Sequence, residues 1–138
     1  MTNIVVARFA DGRVVKGSSL DVDPKRPFFH VSTPEGEMVV VAIADLKALF
    51  FVRSLSGDSS HVYGDEIAPT DTRMRGARLV EVTFKDGEQI TALSLRYPPN
   101  QAFFFLTPVD SSGNNIRVLV NRTFVESTRL VEPPAASS

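Results

Sequence analysis

Residues 79–95, LVEVTFKDGEQITALSL, decide the fold of this chain. Val80, Val82 and Phe84 alternate with polar residues, which is the period-two pattern of a half-buried β-strand. Asp86-Gly87 follows, and Asp-Gly supplies the positive φ angles that a tight hairpin requires. A second apolar run comes next. The stretch therefore predicts two antiparallel strands joined by a short turn.

The same pattern occurs a second time, 75 residues earlier, with Phe9 in place of Phe84 and Asp11-Gly12 in place of Asp86-Gly87. Internal repeats reveal the architecture of a chain before any other signal. The match runs for some twenty positions without a gap and resumes after an insertion in the second copy. The matched pairs are Val15 with Ile90, Ser19 with Ser94, Leu20 with Leu95, Pro24 with Pro99, Phe28-Phe29 with Phe103-Phe104, and Val39–Val41 with Val118–Val120.

Each copy predicts about five short strands separated by turns. In the second strand the apolar positions change parity midway, which predicts a bulge or bend at Gly17 and at the matching Ala92. Residues 47–52 fit a final strand. An alternative is a short helix over residues 42–51, but the strand is preferred because its counterpart, Val125-Glu126-Ser127-Thr128, is a poor helix.

The repeat divides the chain into four segments. Residues 1–53 form the first repeat and residues 77–132 the second. Residues 54–76, rich in Ser, Gly, Asp and Thr, are predicted to be a linker, and residues 133–138 a flexible tail.

The order of elements in each copy resembles that of the SH3-like and Sm-like small β-barrels: a strand, an Asp-Gly hairpin, a bent second strand, two more strands, a helical turn and a closing strand. The paired pattern of Phe-x-Asp-Gly and a later Phe-Phe is also similar to an uncharacterised bacterial domain family that occurs in duplicate. The resemblance implies an all-β fold of two tandem five-stranded barrels, packed as one pseudo-symmetric unit. It implies no activity.

Composition excludes several classes of protein. The chain has no cysteine, which removes disulfides, thiolate metal sites and thiol nucleophiles. A net charge of -1 with a pI of about 6.1 argues against general attraction to nucleic acid. The sequence contains no apolar run long enough to span a membrane, so we expect no membrane partner and a cytoplasmic location.

No catalytic, cofactor-binding or metal-binding residues can be assigned, and we expect the protein not to be an enzyme. The two histidines are His30 and His61. His30 matches Phe105 of the other copy, which favours packing at the edge of a core over catalysis. His61 has Asp58, Asp65 and Glu66 nearby, but residues in a flexible loop lack the fixed orientation of a catalytic or metal site.

The aromatic runs are the candidate interface, because successive strand residues point to opposite faces and one face needs a cover. We expect the units to pack, and the chain to bind itself or another protein, including as a homodimer, through Phe28, Phe29, Phe103, Phe104 and Phe105. An RNA- or nucleotide-binding module is the alternative function. Its candidate loop residues are Lys25, Arg26, Asn114, Asn115 and Arg122.

Overall fold

The computed structural model describes residues 2–55, 72–110 and 113–131 of the chain. The predicted all-β class is confirmed. The described residues form ten strands, with three single-turn 3-10 helices between them: Ile43–Asp45, Thr72–Arg75 and Arg122–Phe124. The strands are β1 (Asn3–Phe9), β2 (Val14–Ser19), β3 (Phe28–Ser32), β4 (Met38–Ala42), β5 (Leu46–Val52), β6 (Arg78–Phe84), β7 (Gln89–Ser94), β8 (Phe103–Pro108), β9 (Asn115–Asn121) and β10 (Val125–Leu130).

All ten strands belong to one antiparallel sheet with the order β10-β6-β7-β8-β9-β5-β1-β2-β3-β4. Among the described strands the sheet is not closed, and its two ends are β10 and β4. The expected pair of separate five-stranded barrels is therefore not confirmed. The reason is that β5 pairs with β1 on one side and with β9 on the other, so both halves share one ladder. We call β1–β5 the first unit and β6–β10 the second unit.

The two units have the same strand order and the same registers. Val5 pairs with Phe51 in the first unit, and Val80 pairs with Leu130 at the equivalent place in the second. Both ladders also skip one residue at the same point, Lys47 in β5 and Glu126 in β10, which is the pattern of a β-bulge. The sequence repeat is thus also a repeat of hydrogen-bonded register.

Both Asp-Gly hairpins form as predicted, with φ angles of 96° at Gly12 and 93° at Gly87. Residues 46–52 form a strand, β5, and not the alternative helix. Of the bulge or bend predicted at Gly17 and Ala92, no bulge is seen, because β2 pairs with β1 and β7 pairs with β6 without a register shift. Gly17 instead allows a close approach: a Cβ atom there would lie 2.2 Å from the carbonyl oxygen of Ser32.

Two hydrophobic cores lie on opposite faces of the β5–β9 pair. Leu49 and Phe51 belong to the first core, with residues of β1, β3 and β4, whereas their neighbour Ala48 belongs to the second. In β9, Leu119 joins the first core, and Val118 and Val120 join the second. Because side chains alternate along a strand, one strand pair closes both cores.

In the described ranges, no helix is long and apolar enough to cross a membrane. Of the predicted linker, residues 54–55 and 72–76 are described, and Thr72–Arg75 forms a single 3-10 turn. The predicted tail, residues 133–138, lies outside the described residues, as do His61, Asp58, Asp65 and Glu66.

Candidate functional site

The β5–β9 pair is the junction of the two units, and it differs from the interface expected at the Phe-bearing strands. Leu49 lies opposite Leu119, and both side chains are almost fully buried. This ladder gives each unit a backbone partner that the other unit supplies. The junction therefore shows how a unit of this fold binds a neighbouring strand.

Asn121, at the end of β9, fixes the junction from the second unit. Its side chain is buried, and its Nδ2 donates to the carbonyl oxygens of Ala44 at 3.2 Å and Leu46 at 2.9 Å. Its Oδ1 accepts a hydrogen bond from the backbone N–H of Thr123 at 3.1 Å. A single amide thus satisfies backbone groups on both sides of the junction.

Lys47, the bulge residue of β5, adds charge pairs to the junction. Its Nζ lies 2.7 Å from Oδ2 of Asp86, 2.5 Å from Oε1 of Glu88 and 4.7 Å from the ring centre of Phe84. Desolvation by burial works against the ammonium, but the hydrogen bonds to both carboxylates leave the pKa of Lys47 raised. The Lys47 hydrogen bond and the backbone N–H of Glu88 lower the pKa of Asp86.

The Lys47→Met variant should be less stable than the wild type at neutral pH by about 1 kcal/mol, the scale of one good ion pair. The pKa of Asp86 is lowered from 3.8, so its contribution is complete above that pH and is lost as the pH falls through the lowered pKa. The stability difference between wild type and variant should therefore shrink in acid. Urea titrations from neutral to acid pH measure it, with the exposed Lys85→Met as control. A difference that stays constant with pH would contradict the assignment.

An aromatic cluster extends the junction onto β8. The rings of Phe51 and Phe105 are 6.1 Å apart, and the guanidinium of Arg117 lies 4.5 and 4.6 Å from their centres. Phe103, on the same face of β8, packs against the first core. The other unit thus covers part of the outer face of β8–β9: Leu119 is buried, whereas Phe105 is still 40% exposed.

The equivalent face of the first unit, on β3–β4, is not covered by any described part of the chain. Val40 is 59% exposed, whereas its counterpart Leu119 is 2% exposed. Phe28 is 55% exposed, whereas its counterpart Phe103 packs on a core. Met38 is also exposed, and His30 lies directly opposite Val40. We call Phe28, His30, Met38 and Val40 the edge patch.

His30 lies on this exposed face, and not at the edge of a core as expected from its match to Phe105. Its Nδ1 is 2.6 Å from Oδ2 of Asp21, and Ser19 Oγ donates to Oδ1 of Asp21 at 3.2 Å. The hydrogen bond with the His30 side chain is the largest cause of the lowered pKa of Asp21. These residues and Met38 line an open depression of about 550 Å³ beside the edge patch.

The backbone of β4 has one described partner strand, β3. Backbone hydrogen bonds from Thr33 N to Glu37 O and from Ile43 N to Pro27 O show that the backbone groups of Glu37 and Ile43 point toward the strand opposite. Because antiparallel bonding alternates along a strand, the N–H and C=O groups of Met38, Val40 and Ala42 point away from β3. The apolar edge patch therefore borders an open row of backbone hydrogen-bonding groups.

The five predicted interface residues have different environments. Phe29 and Phe104 are buried in the cores of their own units. Phe105 contacts Phe51 of the other unit and is 40% exposed, Phe103 packs against the first core, and Phe28 is exposed. Sequence reasoning missed Met38, Val40, Lys47 and Asn121. A signal existed for Val40, since three consecutive valines place apolar side chains on both faces of a strand.

The predicted ligand-loop residues make separate local contacts. The backbone N–H of Lys25 bonds to Asp23, and Arg26 pairs with Asp23 at 3.7 Å. Asn114 bonds to Ser54, and Arg122 donates to the carbonyl oxygen of Asn100. Asn115 lies in β9 opposite Val52. The described hydrogen bonds and ion pairs therefore do not join these residues into one site.

The described ranges contain no group of three or more His, Asp or Glu side chains that could hold a metal ion. A family of unknown function, DUF6982, matches residues 1–132. No curated protein matches the chain, and no solved structure matches it.

Proposed function

We propose that this chain, which belongs to DUF6982, a family of unknown function, is a non-catalytic interaction or scaffold module. Membership of the family assigns no activity, so the proposed role follows from the geometry of the sheet. Its binding surface is the edge patch together with the open backbone edge of β4. A protein partner binds there by adding a strand to the sheet, with main-chain hydrogen bonds for affinity and side-chain contacts for specificity.

The exposure of the edge patch is the observation that carries this proposal. Phe28, Met38 and Val40 are each more than half exposed and lie on one face, beside a strand edge that no other described strand pairs with. Proteins usually protect such edges with charged residues or proline, because open edges pair with other chains. Residues 38–42 read Met-Val-Val-Val-Ala and contain neither. This edge is suited to a partner.

As part of the same proposal, each unit is an SH3-like or Sm-like barrel unit. The shared strand order, the matching bulges and the two separate cores support that reading. The proposed boundaries are residues 1–53, a linker at 54–76, residues 77–132 and a tail at 133–138. We place the protein in the cytoplasm, because the absence of cysteine fits a reducing compartment, and we assign it to a bacterium from its resemblance to a bacterial domain family.

Two observations support the non-catalytic part of the proposal. In the one described cluster that contains serine, aspartate and histidine, Ser19 donates to Asp21 and not to the imidazole of His30. A hydrolytic triad needs the hydroxyl on the imidazole. The depression beside this cluster is open to solvent and holds no buried polar group without a partner.

Photo-crosslinking in the native host tests the proposed function. Benzoylphenylalanine in place of Phe28 should crosslink to a protein that mass spectrometry identifies, and the yield should fall at least tenfold when Val40→Lys is added to the same chain. The matched control places the crosslinker at Val14, which is 48% exposed on β2, away from the edge patch. Equal crosslinking at positions 14 and 28, or no loss with Val40→Lys, would overturn the proposal.

A further inference from the structure

The junction between the two units is a template for a contact between copies. It joins β5, the last strand of the first unit, to β9, the fourth strand of the second unit. The two ends of the sheet are β4, the fourth strand of the first unit, and β10, the last strand of the second. The same two types of strand that pair inside the chain therefore stand at the opposite ends of the sheet, each with one partner among the described strands.

We propose that β10 of one copy pairs antiparallel with β4 of the next copy, in the register of the internal junction. This inference rests on the proposed function of the β4 edge and commits its occupant to a second copy of this chain. The contact is head-to-tail, because different strands meet, so repetition produces a closed ring or a linear assembly.

The register follows from the internal one. Leu49 lies opposite Leu119 and Phe51 opposite Arg117. Their counterparts in the repeat place Thr128 of β10 opposite Val40 of the next copy, and Leu130 opposite Met38. These four residues face each other in the proposed ladder, and the edge patch then lies against the end of the second core.

The backbone of β10 presents the groups that this register needs. The backbone N–H of Val131 donates to the carbonyl oxygen of Leu79, so the backbone N–H of Val131 points toward β6. By alternation along the strand, the N–H and C=O groups of Thr128 and Leu130 point away from β6, toward the open edge. They match the outward groups of Val40 and Met38, which gives complementary donors and acceptors.

The exposure of side chains at the end of β10 agrees with a missing neighbour. Leu130 is 43% exposed, whereas its counterpart Phe51 at the junction is 4% exposed. Val40 shows the same contrast with Leu119 at the opposite end of the sheet. Each open strand thus has an exposed apolar residue at the position that the junction buries.

The contact between copies lacks several features of the junction, so it forms reversibly. Ala42 replaces Asn121 and cannot make its three hydrogen bonds. On the face of β5 that packs on the second core, Ala48 and Phe50 are apolar, whereas their counterparts in β10, Ser127 and Arg129, are polar. Arg129 also forms an ion pair with Glu81 at 2.8 Å within its own unit. The Tyr97 hydroxyl donates to the carbonyl oxygen of Thr128 at 3.2 Å, so the added strand must share that acceptor.

Two complementary variants of the full chain test the head-to-tail contact by sedimentation velocity. Val40→Pro removes an outward N–H from β4, and Thr128→Pro removes one from β10; proline is tolerated where an edge N–H has no ladder partner. Wild type should form larger species as its concentration rises, and each variant alone should stay monomeric. An equimolar mixture should form a dimer of one Val40→Pro and one Thr128→Pro chain, and nothing larger.

Circular dichroism checks that the variants fold, and Val40→Lys with Leu130→Lys is a second pair that keeps the backbone donors. Association of Thr128→Pro alone would indicate β4 pairing with β4 and overturn the head-to-tail contact. A mixture that stays monomeric, or a wild type that is monomeric at every concentration, would also overturn it. If crosslinking from position 28 to a different protein persists in that case, the proposed function stands; if that crosslinking is also absent, both fail.

Discussion

Gly17→Ala should lower the free energy of unfolding by about 3 kcal/mol, at the upper end of the usual cost of overpacking. The added Cβ would lie 2.2 Å from the carbonyl oxygen of Ser32 and 2.8 Å from its carbonyl carbon. Both atoms belong to the backbone of β3, so no rotamer change relieves the contact. Strand β2 or β3 must move, and the Ser18–Ser32 pairing between them must weaken.

Urea titration followed by circular dichroism measures this loss, and Gly76→Ala is the matched control. A Cβ at Gly76 would meet nothing within 4 Å, and its φ is not in the left-handed region, so the control should differ from wild type by less than about 0.5 kcal/mol. Similar values for the two variants would show that β2 and β3 do not approach each other as described.

Asn121→Ala should also cost about 3 kcal/mol, because it removes three hydrogen bonds from a buried side chain at the junction. The carbonyl oxygens of Ala44 and Leu46 lose a donor, and the N–H of Thr123 loses its acceptor. A buried polar group without a partner costs more than the net value of the bond that it made.

Thermal and urea unfolding of Asn121→Ala, compared with Asn100→Ala at an exposed position, separates this effect from a general loss of amide side chains. The control should lie within about 0.5 kcal/mol of wild type. A loss in Asn121→Ala as small as that of the control would mean that water replaces the amide, and that the junction does not depend on this residue.

Much of the local structure could be predicted from the sequence. Alternating apolar residues around Val80, Val82 and Phe84 give a strand, and Asp-Gly gives each hairpin, because both signals are local and steric. The 75-residue repeat predicted that the two halves share their strand order. Their hydrogen-bonded registers agree with it down to the bulges at Lys47 and Glu126.

The join between the units could not be predicted in the same way. Val40 and Leu119 are similar residues at equivalent positions, yet one is exposed and the other buried. Their difference depends on which strand edge receives a neighbour, and no local pattern encodes that choice. Asn121 was missed for a related reason: its partners are carbonyl oxygens about 75 residues away along the chain.

The two cores on opposite faces of the β5–β9 pair have a consequence for how the sequence can change over time. An ordinary half-buried strand tolerates polar substitution at every second position, because one face meets solvent. In β5, Ala48 belongs to one interior and Leu49 to the other, so neither parity is free. A one-residue insertion or deletion there would exchange the faces and mismatch both interiors at once. A substitution in β5 or β9 is therefore tolerated only where it keeps both interiors filled.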